Sequence, residues 1–522
     1  MAHSLCERLL STLEDPRRRD RTVLLMLAAY AGLWSVYGGI AHSSQDLHPD
    51  MTELIAWSRA LSLGYLKHPP LAAWLVKFWF SLVPLSDWTF YLLAMLMPAI
   101  ALWIFWRLSA DYLEIEKRVL GVALLMFVPF YNFHALKFNP NTVLMPTWAA
   151  TTLCFLRSYR THRVFYSVLT GLGAGACMLG KYWSIFLLAG LAIAALIDPR
   201  RWSYFRSSAP WLTSAVAIAV LGPHLLWLWQ HNFAPFEYAI DKHVAHTFVD
   251  TAFKAGSYLV GSVAYVAVPI IFVLLAARPD PATIAEMALP TDVERRLVAA
   301  AFWAPLLLPI LAALASNIDL TSLWSMSAWT LLPIVLLSPP QVKLSPLDLW
   351  RILALAVAAP VAMLIAAPVV ALASHLYGVK APFADSRLLA SETERLWHGV
   401  TPEPLRFVSG NLANEVIAYA VDQPRALPLR LFRGSIGDQV YADGRGWPTE
   451  APVQSPVDSE QLLHSGMALV CSDDAPKWLE AVAVKAAQSP TSQRFEVEIT
   501  RKFLGIPGRP HRYVIFIIPP PP

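Results

Sequence analysis

The stretch HPDMTELIAWSRALSLGYLKHPPLAAW, His48 to Trp74, decides how this chain is read. It lies between two strongly apolar runs, yet it gathers the acids Asp50 and Glu53, the basic side chains Arg59, Lys67 and His68, and a Pro69-Pro70 pair. Asp50-Met-Thr-Glu53 ahead of an apolar run has the pattern of an N-capping box, in which Asp50 accepts from a backbone N–H and Glu53 reaches back. The helix so begun covers about 51–63 and carries Leu54, Ile55, Trp57 and Leu61 on one side, which suits a helix lying on a membrane surface. Gly64 and the two prolines then force a bend, with Lys67 and His68 held beside it. Two explanations of that basic pair stand together: snorkelling to the interface, or binding an anionic lipid headgroup.

Composition places the stretch in a membrane protein. The 522 residues are 56% hydrophobic and only 15% charged, where a soluble globular chain carries roughly 25%. Twenty Trp and 24 Phe fit aromatic belts at the two interfaces. The net charge of +4 comes from basic loops and gives no reason to expect nucleic acid as a partner. The four cysteines, Cys6, Cys154, Cys177 and Cys471, imply no disulfide framework. The first apolar run is too long for a cleaved signal and reads as a retained anchor.

With about 17–25 apolar residues per span, about eleven candidate helices appear, near 22–41, 86–107, 118–134, 141–158, 164–180, 182–198, 209–229, 255–277, 297–315, 321–338 and 351–374. The run 71–84, interrupted by Lys77 and Pro84, reads as interfacial. The basic segments DPRRRDR (15–21), EIEKR (114–118), RSYRTHR (157–163), DPRRWSYFR (198–206) and VERR (293–296) fall on one side when the spans alternate. That side is expected to be cytoplasmic, with the N-terminus inside and the C-terminus outside. Residues 1–374 thus form a transmembrane domain with an outer loop at 42–85, and the more polar 375–522 a separate outer domain. In that tail, strand-like runs at 405–410, 427–432, 467–471, 495–499 and 513–518 alternate with helical patterns near 386–398, 411–421 and 474–487, which predicts a small α/β domain.

The run DMTELIAWSRALSLGYLKHPPLAAWL closely resembles the first outer loop of bacterial dolichyl-phosphate-mannose-protein mannosyltransferase-like proteins, glycosyltransferase family 39. That group lies in the GT-C superfamily and includes the lipid A aminoarabinose and galacturonic acid transferases. Asp50, Trp57, Ser58, Arg59, Gly64, Tyr65, His68, Pro69, Pro70 and Leu71 fill the places of the motif. Weaker similarity continues through ALKFNPNTVLMPTWA (135–149), GLGAGACMLGKY (171–182) and GPHLLWLWQHNFAPFEYA (222–239), so it covers about the first 340 residues.

The resemblance implies a GT-C fold, mainly α and polytopic, in the bacterial inner membrane with the C-terminal domain in the periplasm. It implies inverting transfer of a sugar from a polyprenyl-phosphate carrier to a lipid, glycan or protein acceptor on the outer face. The acceptor hydroxyl must lose a proton as it attacks, so a carboxylate within reach serves as general base; Asp50 is the candidate. The leaving phosphate is already a good anion, and cationic or hydrogen-bonding groups stabilise its growing charge. Arg59, Lys67, His68 and Lys181 are candidates for that work, with Tyr65 a weaker one. The chemistry requires no cofactor.

One departure concerns the second acid that many relatives place at the outer start of a span. FNPNTVL puts Asn139 and Asn141 there, which can orient a hydroxyl but cannot act as a base. Either Asp50 works alone, or Glu53 supplies the second carboxylate, or the chain has lost the standard activity. Lys137 offers a further, weaker cation. Asp241, His243 and His246 in the loop after the seventh span could in principle ligate a divalent metal, although their spacing fits no firm template. His224 reads as a satisfied intramembrane histidine, and Trp324 and Trp329 as part of the outer aromatic belt. The rival readings are a polytopic lipid or glycan transporter, and a non-catalytic assembly protein that holds a lipid carrier. A transporter would place its polar residues near the midplane in paired repeats, whereas here they cluster at the outer surface.

Overall fold

The computed structural model describes residues 12–243, 247–378, 385–427 and 465–521. It divides into two units. The first comprises the chain up to Tyr37, Phe90–Leu226 and His243–Ile365; the second comprises Gly38–Thr89, Trp227–Lys242 and Ala366 onward. By packing, therefore, the first outer loop goes with the C-terminal tail.

Among the described residues five helices are long and apolar enough to cross a membrane: Arg19–Ala41, Asp87–Ser109, Ala209–Gln230, Val293–Ser316 and Pro346–Tyr377. The expected span at 255–277 is a pair of helices, Phe248–Tyr265 and Ala267–Ala277, bent by 54°. Pro269 explains the break, because it has no N–H to offer the carbonyl four residues back. The segments expected at 164–180 and 182–198 are shorter apolar helices, Val164–Gly180 and Tyr182–Ile197, and 141–158 lies within the helix Pro140–Thr161. Two expected spans are fragmented. Residues 118–134 divide into the helix Ile115–Met126 and a 3-10 turn at Pro129–Tyr131, since Pro129 holds Val128 extended. Residues 321–338 divide into 3-10 turns at Ser322–Ser325 and Ala328–Leu331 and a short helix, Leu332–Leu337. Leu71–Leu82 is a helix of 12 residues, about 18 Å long against a hydrocarbon core of about 30 Å.

In the second unit the tail forms the expected α/β domain. Its five-stranded sheet has the order β2 (Arg425–Ala426), β1 (Phe407–Ser409), β3 (Met467–Ser472), β7 (His511–Ile518), β4 (Gln493–Ile499). β1 runs parallel to β2 and β3, while β7 is antiparallel to β3 and β4. Alternate residues of the inner strands feed two cores. Ala468, Val470, Ile515 and Ile517 pack with the helices Ser386–Val400 and Ala413–Tyr419, and Leu469, Cys471, Val514 and Phe516 pack with Pro476–Ala486. The run expected at 427–432 lies, after Leu427, outside the described residues. Cys154, Cys177 and Cys471 are free and buried.

A charged network ties the outer loop into this domain. Asp46, almost wholly buried, receives Arg501 Nη2 at 2.6 Å and the Arg387 backbone N–H at 2.9 Å. Arg387 Nη2 reaches Asp87 at 2.9 Å, and Tyr419 Oη donates to the same carboxylate at 3.2 Å while accepting from the Leu47 N–H at 2.9 Å. Asp385 takes His511 Nδ1 at 2.5 Å and Tyr513 Oη at 3.2 Å. Buried carboxylates are tolerated because each is paired and hydrogen-bonded.

Candidate functional site

The helix that carries Asp50 runs Pro49–Ser58, shorter than expected, and its N-cap is His48 rather than Asp50. His48 Nδ1 accepts from the Asp50 N–H at 3.2 Å, and Pro49 occupies the first turn, where its missing N–H costs nothing. The capping-box expectation is thus corrected. With His48 supplying the cap, the Asp50 side chain, 39% exposed, sits 3.7 Å from His48 Nδ1, and Glu53 turns to a different partner.

That partner is Lys67, whose Nζ lies 2.6 Å from Glu53 Oε1. Burial pushes the Glu53 carboxyl above its usual range, and the Lys67 ammonium works against that rise. Most of the apolar side of the helix is covered by protein. Leu54, Ile55 and Trp57 are buried, Ala56 packs among Ala413, Val416 and Ile417 of the tail, and Leu61, past the end of the helix, is 51% exposed. The surface-helix expectation missed this because a helix stripe that covers protein reads the same as one that covers lipid.

The remaining motif residues brace the loop. Tyr65 is fully buried, stacked on Trp57 with ring centroids 4.6 Å apart, and its hydroxyl donates to Trp57 O at 3.1 Å. Burial raises its hydroxyl to about 12. The His68 ring meets Trp57 edge-on at 6.2 Å, and His68 O accepts from the Tyr65 N–H. Arg59 Nη1 donates to Pro424 O at 3.3 Å, and burial lowers its guanidinium to about 10. Gly64 is required by close approach, since a Cβ there would lie 2.4 Å from the Trp227 ring.

Sequence reasoning missed Glu415. The helix Ala413–Tyr419 brings it, buried, within electrostatic reach of Glu53 and Lys67, and burial first, then Glu53, raise its carboxyl to about 7. Nothing in ANEVIAY distinguishes it from an ordinary helical surface acid; only the tertiary packing does.

In the first unit Asn139 is the N-cap of the Pro140–Thr161 helix, with a complete capping box to Thr142. Its side-chain oxygen accepts from the backbone N–H of Asn141 at 2.9 Å. Asn141 is the partner of Lys181, whose Nζ donates to Asn141 Oδ1 at 2.7 Å and stands 5.1 Å above the Trp324 ring. Two expected candidates are therefore joined, with an amide where the second acid was sought. Tyr182 Oη and His224 Nε2 are hydrogen-bonded at 3.0 Å, in keeping with a satisfied intramembrane histidine. The aromatic-belt expectation is corrected for Trp329, which is buried and donates to Ser325 Oγ, while Trp324 is partly exposed and packs on Trp183 at 5.0 Å.

Among the described residues no group of three or more His, Cys, Asp or Glu is placed to hold a metal ion. His246 and the side chains of Asp241 and His243 lie outside them.

Residues 67–227 match the model of the family described as dolichyl-phosphate-mannose-protein mannosyltransferase. The chain is 26% identical over 234 residues to the lipid A galacturonosyltransferase RgtD of Rhizobium johnstonii, covering 43% of this chain and 47% of that protein. It is 28% identical over 218 residues to the lipopolysaccharide core galacturonosyltransferase RgtB of the same organism, covering 41% and 44%. The chain thus spans about half the length of the curated relatives it matches. Crystal structures of ArnT from Cupriavidus metallidurans share the fold across almost the whole chain. The apo form has a TM-score of 0.59 at 12% identity, covering 95% of this chain and 97% of that one. The form bound to undecaprenyl phosphate gives 0.59 at 13%, covering 94% and 97%. The chain is a multi-pass membrane protein that shares the fold of ArnT, and its residues 67–227 are similar to the family described as dolichyl-phosphate-mannose-protein mannosyltransferase.

Proposed function

We propose that the chain transfers a sugar from a polyprenyl monophosphate to a hydroxyl of an outer-face acceptor in the cell envelope, with inversion. The acceptor oxygen attacks the anomeric carbon, the bond from that carbon to the phosphate oxygen breaks, and Asp50 takes the hydroxyl proton. The observation that carries the reading is the division of labour between two carboxylates three residues apart. Glu53 is held by Lys67 at 2.6 Å, whereas Asp50 presents a side chain 39% exposed at the start of the helix. A base must be accessible and ionised, and Asp50 meets the first need better than Glu53.

In this reading His68 and Arg59 of the outer loop serve the leaving phosphate, and Lys181 with Asn141 and Asn139 is a separate candidate cluster within the spans. Glu53 and Tyr65 hold the loop in shape, with Lys67 fixed by Glu53. No cofactor takes part, because the carrier phosphate departs as an anion. The names of RgtD and RgtB support an acceptor within lipopolysaccharide. The bias of Lys and Arg supports an inner-membrane protein with its N-terminus in the cytoplasm and residues 375–522 in the periplasm.

The test is mass spectrometry of lipid A, core oligosaccharide and outer-face proteins from a deletion strain complemented with the wild type or with Asp50→Asn. At equal membrane levels the wild type restores a glycosyl modification and Asp50→Asn lowers it by about 10²–10⁴-fold. Full restoration by Asp50→Asn removes Asp50 as the base. An unchanged profile in the deletion strain itself removes the transfer reaction.

A further inference from the structure

The two-stranded hairpin of β5 (Lys502–Phe503) and β6 (Ile506–Pro507) turns on Leu504 and Gly505, both with positive φ, +51° and +80°. Such a turn favours Asn or Gly at its first position. A leucine in the left-handed region is held against the steric preference of its Cβ. This leucine is also 78% exposed, beside an exposed Ile506. Neither its backbone nor its surroundings within the chain explain an apolar side chain at that point.

The neighbouring helix end supplies the explanation. Ile506 O accepts from His375 Nε2 at 2.9 Å, the His375 ring lies against Phe503 at 5.7 Å, and a Cβ on Gly508 would come within 2.9 Å of the same ring. The hairpin is therefore fixed to the last turn of the Pro346–Tyr377 helix, one of the long apolar helices. Along that helix exposed apolar side chains run from Leu347 through Leu355, Val361, Ile365 and Val369 to Leu376 and Tyr377. The helix has 32 residues and is about 48 Å long, more than enough to cross a hydrocarbon core of about 30 Å. Its exposed apolar surface continues to the last turn, on which the hairpin is fixed. Exposed basic residues, Lys502 and Arg509, flank the apolar tip, as in segments that lie in a headgroup layer.

We propose that this hairpin is a membrane anchor: Leu504 and Ile506 insert into the leaflet beside the final span, and Lys502 and Arg509 meet its anionic headgroups. The anchor holds the C-terminal domain down on the bilayer. The proposal needs only that the Pro346–Tyr377 helix crosses the membrane; it stands or falls separately from the transfer reaction.

The full-length protein is placed in nanodiscs of phosphatidylethanolamine and phosphatidylglycerol, with an environment-sensitive nitrobenzoxadiazole label on Leu504→Cys or, separately, Ile506→Cys. Labelled parent protein sets the background from the native cysteines. The expected result is blue-shifted emission, strongly quenched by doxyl-labelled lipid and several-fold less quenched by aqueous iodide than the free label. Iodide quenching equal to that of the free label at both positions overturns the anchor. So does a label shielded from iodide yet untouched by lipid-borne quencher, which would mean a protein partner at the tip. Two positions keep the test decisive if one variant folds poorly.

Discussion

Glu415→Gln tests how the tail meets the outer loop. The Glu415 carboxyl is buried between helices, raised from 4.5 to about 7 by burial and by Glu53, and only partly relieved by Lys67. A rise of that size corresponds to about 3 kcal/mol at 1.36 kcal/mol per unit. The folded state holds the proton more tightly than the unfolded chain does. The penalty is therefore absent below the unfolded value of 4.5, grows as pH rises towards 7, and is complete above it. Glutamine keeps the shape and cannot ionise, so it removes the penalty only where the acid would be charged. The assay is the thermal unfolding midpoint of wild type and Glu415→Gln in nanodiscs at pH 4 and pH 8. The two proteins should unfold nearly together at pH 4, and the variant should unfold several degrees higher at pH 8. Equal midpoints at both pH values, or a variant less stable at pH 8, would refute the assignment of Glu415 as a buried acid beside a second carboxylate.

Two further outcomes follow from the geometry. Gly64→Ala drives a methyl into the Trp227 ring and should cost about 1–3 kcal/mol, read as a lower unfolding midpoint; combining it with Trp227→Leu should recover part of the loss. Asn141→Asp places a carboxylate where Lys181 now donates to an amide at 2.7 Å, making a charge-assisted bond worth about 1.5–3 kcal/mol. The variant should be more stable than wild type at neutral pH, and the gain should disappear in an additional Lys181→Met background.

The sequence made the membrane class, the long spans and the α/β tail legible, because each rests on a period or a run that survives any tertiary arrangement. The span at 255–277 was visible as apolar length, and Pro269 breaks it, but the apolar run does not record the 54° angle between its halves. Composition likewise located Asp50, Glu53 and Lys67 together without showing which acid the lysine would take. The answer turned on His48, which displaced Asp50 from the cap and left Glu53 facing Lys67. Glu415 was invisible for a related reason: its environment comes from a helix more than three hundred residues away, and no local pattern records that.

The network around Asp46 also governs when the outer loop can take its shape during synthesis. Leu47 is bound by Tyr419, 372 residues later in the chain, and Asp46 by Arg501 later still. A ribosome must add 372 residues after Leu47 before Tyr419 exists, and more before Arg501 does. Until then Asp46 and Asp87 lack their basic counterparts, and the helix bearing Asp50 lacks the surface that covers Ala56. The outer loop thus matures only after partners made much later, and a product truncated before them carries its motif residues without the support that arranges them.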